Sequence, residues 1–295
     1  MEKEHKAGFV NIIGNPNVGK STLMNMLVGE ELSIITAKAQ TTRHRIKGIV
    51  NGEDFQIVYS DLPGILTPAY KMQEMMMRFV NESLKDADLI LYLVEPGETK
   101  FDEEIIEKLN KINIPVILVV NKLDKTTAEQ LALTQQHWQT ILPKADFITI
   151  SALKMLNLNE LLMKIIEKLP FSPPYFPKDE LTDRPVRFFV SELIREKVLL
   201  NYKKELPYSV EIVIDSFKED DNIVRIGVFL YVERESQKAI ILGHKGSAIK
   251  KLGTESRIAI EDFLQKHVYL DISVKVLKDW RSNDLFMKRF GYFEK

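Results

Sequence analysis

Apolar positions along the chain fall into short unbroken runs separated by segments with helical spacing. Phe9-Val10-Asn11-Ile12-Ile13, residues 88–94 (DLILYLV) and residues 114–120 (IPVILVV) are nearly continuous apolar stretches, the pattern of strands covered on both faces of a parallel sheet. Two further strands, 45–50 and 54–59, flank Asn51-Gly52, a hairpin signal. Phe147-Ile148-Thr149-Ile150 reads as one more. Helical spacing predicts helices starting at Thr22 and spanning 72–84, 102–110 and 158–169. Met75-Met76-Met77 in the second of these reads either as adaptable core filling or as a methionine-rich partner surface. Strands alternating with helices predict an α/β domain, a mixed sheet with helices on both faces.

The pattern breaks at residues 170–177, where Pro170, Pro173, Pro174 and Pro177 remove backbone donors and stiffen the chain. This divides the sequence into a first domain (1–172), a proline-rich linker (173–184) and a second domain (185–295). The second domain reads as α+β. An amphipathic helix spans 186–202, and alternating strands 209–217 and 223–233 are joined by the polar turn 218–222. A third short strand is predicted over 238–242, then helices 247–252 and 255–266, and a last strand 269–277.

Composition adds limits. With 295 residues, 45% hydrophobic and 28% charged, the chain is an ordinary soluble protein able to bury two cores. A formal charge of −1 argues against a generic polyanion binder. From residue 238 onward, however, twelve Lys and Arg face seven Asp and Glu. There are no cysteines, which fits a reducing compartment. No apolar run reaches the length of a membrane span, and the charged start is not followed by a signal-like core. The sequence thus reads as cytoplasmic, without a transmembrane segment.

The chemistry begins at Gly14-Asn15-Pro16-Asn17-Val18-Gly19-Lys20-Ser21, of the form G-x-x-x-x-G-K-[ST], between a strand and a helix opened by Thr22. Such a turn aims backbone N–H groups and the positive end of the helix dipole at one spot, which favours phosphate. Lys20 would reach the β- and γ-phosphates and the Ser21 hydroxyl would hold Mg²⁺. The polar stretch 32–45 carries Thr41-Thr42. A threonine on such a loop can join the Mg²⁺ shell only while a γ-phosphate is present; Thr42 is the first choice and Thr41 the second. Asp61-Leu62-Pro63-Gly64 follows the second hairpin strand. Asp61 can hold Mg²⁺ through water, and Gly64 can bring its N–H to the γ-phosphate. Asn121-Lys122-Leu123-Asp124 closes another strand. A carboxylate at Asp124 accepts from the guanine N1–H and 2-amino group, which adenine lacks. Asn121 would brace the loop and contact the base edge, and the turn at Ser151-Ala152 could donate to the 6-oxo group. The ordered set is that of a Mg²⁺-dependent GTPase taking GTP and GDP. Ile65 stands where many GTPases carry a water-orienting glutamine, so the attacking water needs backbone groups, a bound cation or a partner. Asn17 reads either as a ligand of a monovalent cation such as K⁺ or as a loop-bracing amide.

In the second domain, Gly243-His244-Lys245-Gly246 precedes Lys250, Lys251 and Arg257. G-x-x-G arises by chance about once at this glycine content, so its setting carries the weight: an apolar strand before it and a lysine-rich helix after it. Two glycines let the backbone approach a sugar-phosphate chain while the lysines neutralise it, as in KH modules that clamp four nucleotides. None of the five histidines shows metal-ligand spacing.

Over nearly its whole length the chain resembles the Era family of bacterial GTPases, a Ras-like domain joined to a C-terminal type II KH domain. The resemblance rests on GNPNVGKS (14–21), KAQTTRHRI (38–46), DLPG (61–64), NKLD (121–124), GHKGSAIK (243–250) and VKVLKDW (274–280). It implies binding of the 3′ end of 16S ribosomal RNA, a role in assembling the 30S subunit, and loose peripheral association with the cytoplasmic face of the inner membrane. Ile65 and Pro16-Asn17 also fit that family. The fourth element departs in being followed by Lys125 and a polar stretch, which leaves the guanine contacts intact. The alternatives are a signalling or trafficking GTPase with a protein-binding second domain, and a tRNA-modification GTPase. Neither gives a reason for a glycine-rich loop before a basic helix.

Overall fold

The structure is a computed structural model that describes residues 5–38 and 40–293; Ala39 of the threonine loop and the residues at both ends lie outside that description. The chain splits into two compact units, Met1–Pro68 with Met76–Asp183, and Ala69–Met75 with Arg184–Lys295. No helix among the described residues is long and apolar enough to cross a membrane.

The first unit holds a six-stranded sheet made of β1 (Lys6–Gly14), β2 (Ile46–Asn51), β3 (Phe55–Asp61), β4 (Leu89–Val94), β5 (Val116–Val120) and β6 (Asp146–Thr149), in the order β2-β3-β1-β4-β5-β6. Only β2 runs antiparallel to its neighbour. Every residue of β4 is buried, which explains its unbroken apolar sequence. The helices are α1 (Lys20–Val28), α2 (Lys71–Ser83, of which the part from Met76 on belongs to this unit), α3 (Glu103–Lys111), α4 (Ala128–Ile141) and α5 (Leu158–Lys168). Asp102 caps α3 by accepting from the Ile105 N–H at 3.0 Å. Met75, Met76 and Met77 are all buried, so the methionine run fills core.

Helix α4 was not anticipated. Its only buried side chains are Thr134 and Trp138, a stripe too narrow to register as amphipathic. The signal lay at its start, where Thr127 accepts from the Gln130 N–H in the T-x-x-Q pattern of a capping box.

The linker is fastened to the first unit. Gln56, fully buried in β3, accepts from the N–H groups of Tyr175 (2.7 Å) and Phe176 (3.0 Å) and donates to the Phe176 carbonyl (2.8 Å). Further along, the Ile49 N–H donates to the Leu181 carbonyl and the Thr182 hydroxyl to the Lys47 carbonyl. The free edge of β2 is thereby covered.

The second unit runs α6 (Val186–Asn201), β7 (Glu211–Glu219), β8 (Ile223–Val232), α7 (Glu235–Leu242), α8 (Ser247–Leu264), β9 (His267–Val276) and α9 (Asp284–Arg289). β8 pairs antiparallel with β7 and parallel with β9. Val224, Ile226, Val228 and Leu230 alternate into a core shared with Val190, Ile194 and Val198 of α6 and with Leu252 and Ile260 of α8. The strand predicted over 238–242 is instead the end of α7. A short apolar run has no period that separates strand from buried helix. What decides it is Gln237, whose side chain accepts from the Glu233 and Arg234 N–H groups and starts a helix. The two helices predicted over 247–266 are one. Beyond β9, Trp280 is fully buried and donates to the Ser209 carbonyl at 3.0 Å.

Candidate functional site

At the carboxyl edge of the first sheet, parallel register sets Ile12 beside Asp61, Gly14 beside Leu93, Val94 beside Val120 and Val120 beside Thr149. Loops leaving these strands therefore open onto one edge. The loop 14–21 turns there into α1. Gly19 has φ +101°, and a Cβ on it would stand 2.3 Å from Nδ2 of Asn121, so only glycine lets the loop close on β5. Lys20 is 6% exposed and donates to the carbonyls of Gly14 (3.0 Å) and Asn15 (2.8 Å). Burial lowers its pKa to about 8, with Asp61 and Glu98 pulling the other way. A buried ammonium held mainly by carbonyls gains from an anion.

Ser21, Thr42 and Asp61 meet beside it. Asp61 Oδ2 accepts from Ser21 Oγ (2.7 Å) and Thr42 Oγ1 (3.0 Å), and the two hydroxyls are 3.0 Å apart. Asp61 is fully buried, and its Oδ1 has no hydrogen-bond partner. Burial pushes its carboxyl pKa up, against the Ser21 hydroxyl and Lys20. An orphaned carboxylate oxygen next to two hydroxyls fits a hard divalent cation and its water. Among the described residues no cluster of three or more His, Cys, Asp or Glu is placed to hold a metal. Such an ion would draw its other ligands from phosphate and water, as Mg²⁺ does. Thr41 is turned away: its hydroxyl donates to the Lys38 carbonyl (2.6 Å) and lies 2.8 Å from Thr36 Oγ1.

Leu62 and Pro63 are buried, and a Cβ on Gly64 would stand 2.8 Å from Cα of Pro16, so the Asp61–Gly64 segment lies directly on the loop 14–21. The Ile65 N–H donates to the Gly14 carbonyl at 3.1 Å, and its side chain is 5% exposed. Together these parts bound a cleft of about 400 Å³ lined by Asn17, Lys20, Ser21, Thr42, Gly64 and Lys122 among others. The Asn17 side chain donates to the Ala37 carbonyl (3.3 Å), and the Asn17 backbone carbonyl accepts from Lys122 Nζ (2.8 Å). Val18 and Thr22 complete the turn.

At the other end, Asn121 is 3% exposed and donates to the Val18 carbonyl (2.9 Å). In the Ser151-Ala152 turn the Ala152 N–H donates to Asn121 Oδ1 (2.9 Å). Asp124 accepts from Ser151 Oγ (2.5 Å), which holds its carboxyl below the usual carboxylate range. The ionised, accepting form is the one that guanine requires. Sequence reasoning passed over the turn 95–98, where Glu98 Oε1 accepts from Asn15 Nδ2.

In the second unit the G-x-x-G loop joins two helices. Its His244 and Lys245 are exposed, and Gly243 and Gly246 have φ of +71° and +77°. Beside it a groove of about 330 Å³ runs between α8 and β9, lined by Ile249, Lys250, Gly253, Thr254, Arg257, Leu270 and Ile272. Lys250 faces this groove. Lys251, about 100° further round the helix, pairs with Glu255 at 3.6 Å instead. The apolar floor escaped the sequence reading of the site, although 250, 253, 254 and 257 share a helical face.

Fold and site together define a phosphate-loop GTPase domain followed by a KH domain. Residues 9–122 match a family model described as "50S ribosome-binding GTPase", and residues 205–281 match one described as "KH domain". The chain is 44% identical to GTPase Era of Clostridium kluyveri over 290 residues, 97% of this chain and 99% of that protein. It is 42% identical to GTPase Era of Syntrophus aciditrophicus, covering 98% and 96%. Among solved structures, an Aquifex aeolicus Era variant bound to GDP and AlF4⁻ superposes with a TM-score of 0.93 at 39% identity, covering 98% of this chain and all of that one. Era in complex with MgGDPNP and nucleotides 1506–1542 of 16S ribosomal RNA superposes with a TM-score of 0.93 at 38% identity, with the same coverage. The chain belongs to the Era GTPase family: it binds guanine nucleotide in the first unit, and its second unit is an RNA-binding KH domain.

Proposed function

We propose that this GTPase depends on Mg²⁺, holds the 3′ end of 16S ribosomal RNA in its KH groove, and assists assembly of the 30S subunit, with nucleotide state setting the grip on RNA. The observation that carries the reading is the meeting of Ser21, Thr42 and Asp61 around one buried oxygen. Thr42 comes from the loop after α1 and Asp61 from the end of β3, so their mutual position can report whether a γ-phosphate is present. The RNA assignment draws on the G-x-x-G loop, its groove and the 16S RNA complex of a relative.

Bound Mg²⁺ supplies charge neutralisation on the β- and γ-phosphates. The chain does the rest by placement. Lys20 offsets phosphate charge, Asn121 and Ser151 hold the base loops, and Asp124 rejects adenine by leaving its own carboxylate unpaired against it. Ile65 lies in the interior and cannot orient water, so intrinsic turnover is slow and depends on backbone groups, K⁺ near Asn17 or the bound RNA. A loose association with the cytoplasmic membrane face belongs to the same reading, and flotation with anionic vesicles tests it.

The deciding experiment is calorimetry of a 16S 3′-end oligonucleotide against apo, GDP-loaded and GDPNP-loaded protein, with Gly246→Asp as control. Affinity is expected to depend on nucleotide and to vanish in the variant while GTP turnover persists. Equal affinity in all three states would remove the switch, and full affinity in Gly246→Asp would remove the clamp.

A further inference from the structure

The turn after β4 is buttressed from one side and grips the phosphate loop on the other. The Gly97 N–H donates to Thr134 Oγ1 (2.9 Å), and the Glu98 carbonyl accepts from Trp138 Nε1 (3.0 Å). The acceptor Thr134 and the donor Trp138 are the two buried side chains of α4, so this helix braces the turn. The turn also closes on itself, with Glu98 Oε2 accepting from the Glu95 N–H at 3.0 Å.

Its other side touches residue 15 directly and reaches residue 17 through Lys122. Glu98 Oε1 accepts from Asn15 Nδ2 (2.5 Å), which also donates to the Lys100 carbonyl (2.9 Å). The Glu95 carboxylate pairs with Lys122, whose Nζ reaches the Asn17 carbonyl (2.8 Å). Asn15 in turn offers its own carbonyl to Lys20 Nζ at 2.8 Å. A chain of contacts thus runs from Trp138 through Glu98 and Asn15 to the ammonium that meets the phosphates.

A carboxylate beside a phosphate cradle repels the ligand. Its place here makes sense through what it holds, since fixing Asn15 fixes one of the two carbonyls that aim Lys20. We propose that Glu98 is a positioning residue for GTP binding and hydrolysis, acting through the Asn15 side chain to set Lys20. Half-burial supports this, because a bond to a partly desolvated carboxylate is stronger than one in water. The proposal rests on Lys20 serving the phosphates, so Lys20→Ala is run alongside: if that variant keeps nucleotide affinity, it is the phosphate assignment that fails.

The test uses the full chain and four variants, Glu98→Ala, Asn15→Ala, the double variant and Glu98→Gln. GDP and GDPNP affinities are measured with kcat and KM, well below the thermal midpoint of each variant. Loss of one charge-assisted bond corresponds to about tenfold. Glu98→Ala and Asn15→Ala are each expected to weaken GDPNP binding and kcat/KM by about that factor, and the double variant to be no worse than either. Glu98→Gln keeps one acceptor oxygen for Asn15 but sets its amide NH2 against the Glu95 N–H, so it should recover only part of the loss. Unchanged affinity and turnover in Glu98→Ala would overturn the proposal. So would additive effects in the double variant, or a Glu98→Gln as impaired as Glu98→Ala.

Discussion

Replacing Asn121 by Ala removes a side chain that is 3% exposed and makes two bonds to other loops, one to the Val18 carbonyl and one from the Ala152 N–H. Val18 and Ala152 are each about 1% exposed, so neither group can turn to water. A buried backbone group left unpaired costs about 1–3 kcal/mol. The expected loss is therefore roughly 2–6 kcal/mol, a large share of the ~5–15 kcal/mol that separates a folded domain from its unfolded chain. Asn121→Asp has the same shape but keeps only the acceptor for Ala152 and sets an oxygen against the Val18 carbonyl, so it should be no milder. The assay is urea unfolding of nucleotide-free protein followed by tryptophan fluorescence, with GDP titration in parallel. Trp138 reports on the first unit, and Trp280 on the second serves as internal reference. If Asn121 acted only by touching the base, Asn121→Ala would bind GDP poorly and yet unfold like wild type without nucleotide. That result refutes the bracing argument.

Gln56→Ala strips three bonds from residues 175 and 176; chymotrypsin should then cut after Tyr175 at least several-fold faster than in wild type, and equal rates would show that the strap is held elsewhere. Gly253 lies inside α8 with only Ile272 Cδ1, at 3.9 Å, near a built Cβ. Gly253→Ala should stabilise the helix by about 0.8–1 kcal/mol while narrowing the groove, so thermal midpoint rises and RNA affinity falls; a rise in both would mean that RNA does not enter there. Glu261 is held below the ordinary carboxylate pKa chiefly by the Val268 N–H it accepts, with Arg257 adding to the effect. A folded pKa below the unfolded one gives stability that is present above about pH 4.5 and is lost as pH falls through the folded value. The midpoint gap between wild type and Glu261→Gln should therefore be widest at neutral pH and close under acid; a gap independent of pH would remove the carboxylate from the account.

What was legible in the sequence was whatever local chemistry decides. Loop 14–21, Asp61 and Asp124 are fixed by strand ends and special backbone, and in the fold Thr42 bonds to Asp61 while Thr41 bonds to the Lys38 carbonyl. What was not legible depends on partners distant in sequence. Helix α4 buries only Thr134 and Trp138 while Leu133 stays exposed, and the two buried side chains bond to a turn some 40 residues earlier. Residues 238–242 carry an apolar run that suits either structure, and the deciding bonds come from Gln237 at its amino end. Ala152 could not be known to spend its N–H on Asn121, because both lie in separate loops. Lys250 and Lys251 are adjacent in sequence and part company only because a helix turns about 100° per residue.

The linker carries the same lesson into mechanism. Four prolines suggest a stiff spacer between domains, yet the segment is tied along β2 and β3 through Gln56, Ile49 and Lys47. That hairpin has a second attachment at its other end, since β2 begins four residues after Thr42 and β3 finishes on Asp61. The element that carries Asp61 and follows Thr42 therefore also carries the strap, whose residues run to Asp183 before the second unit starts at Arg184. A shift of β2 along β3 would move the Leu181 and Thr182 anchors by the same distance or break them, because a strand slides only in whole hydrogen-bond registers. Stiffness in the prolines matters only if the strap is clamped at its start, and Gln56 is that clamp. Loosening it should leave GTP binding intact while uncoupling RNA affinity from nucleotide state, an outcome a free hinge would not produce.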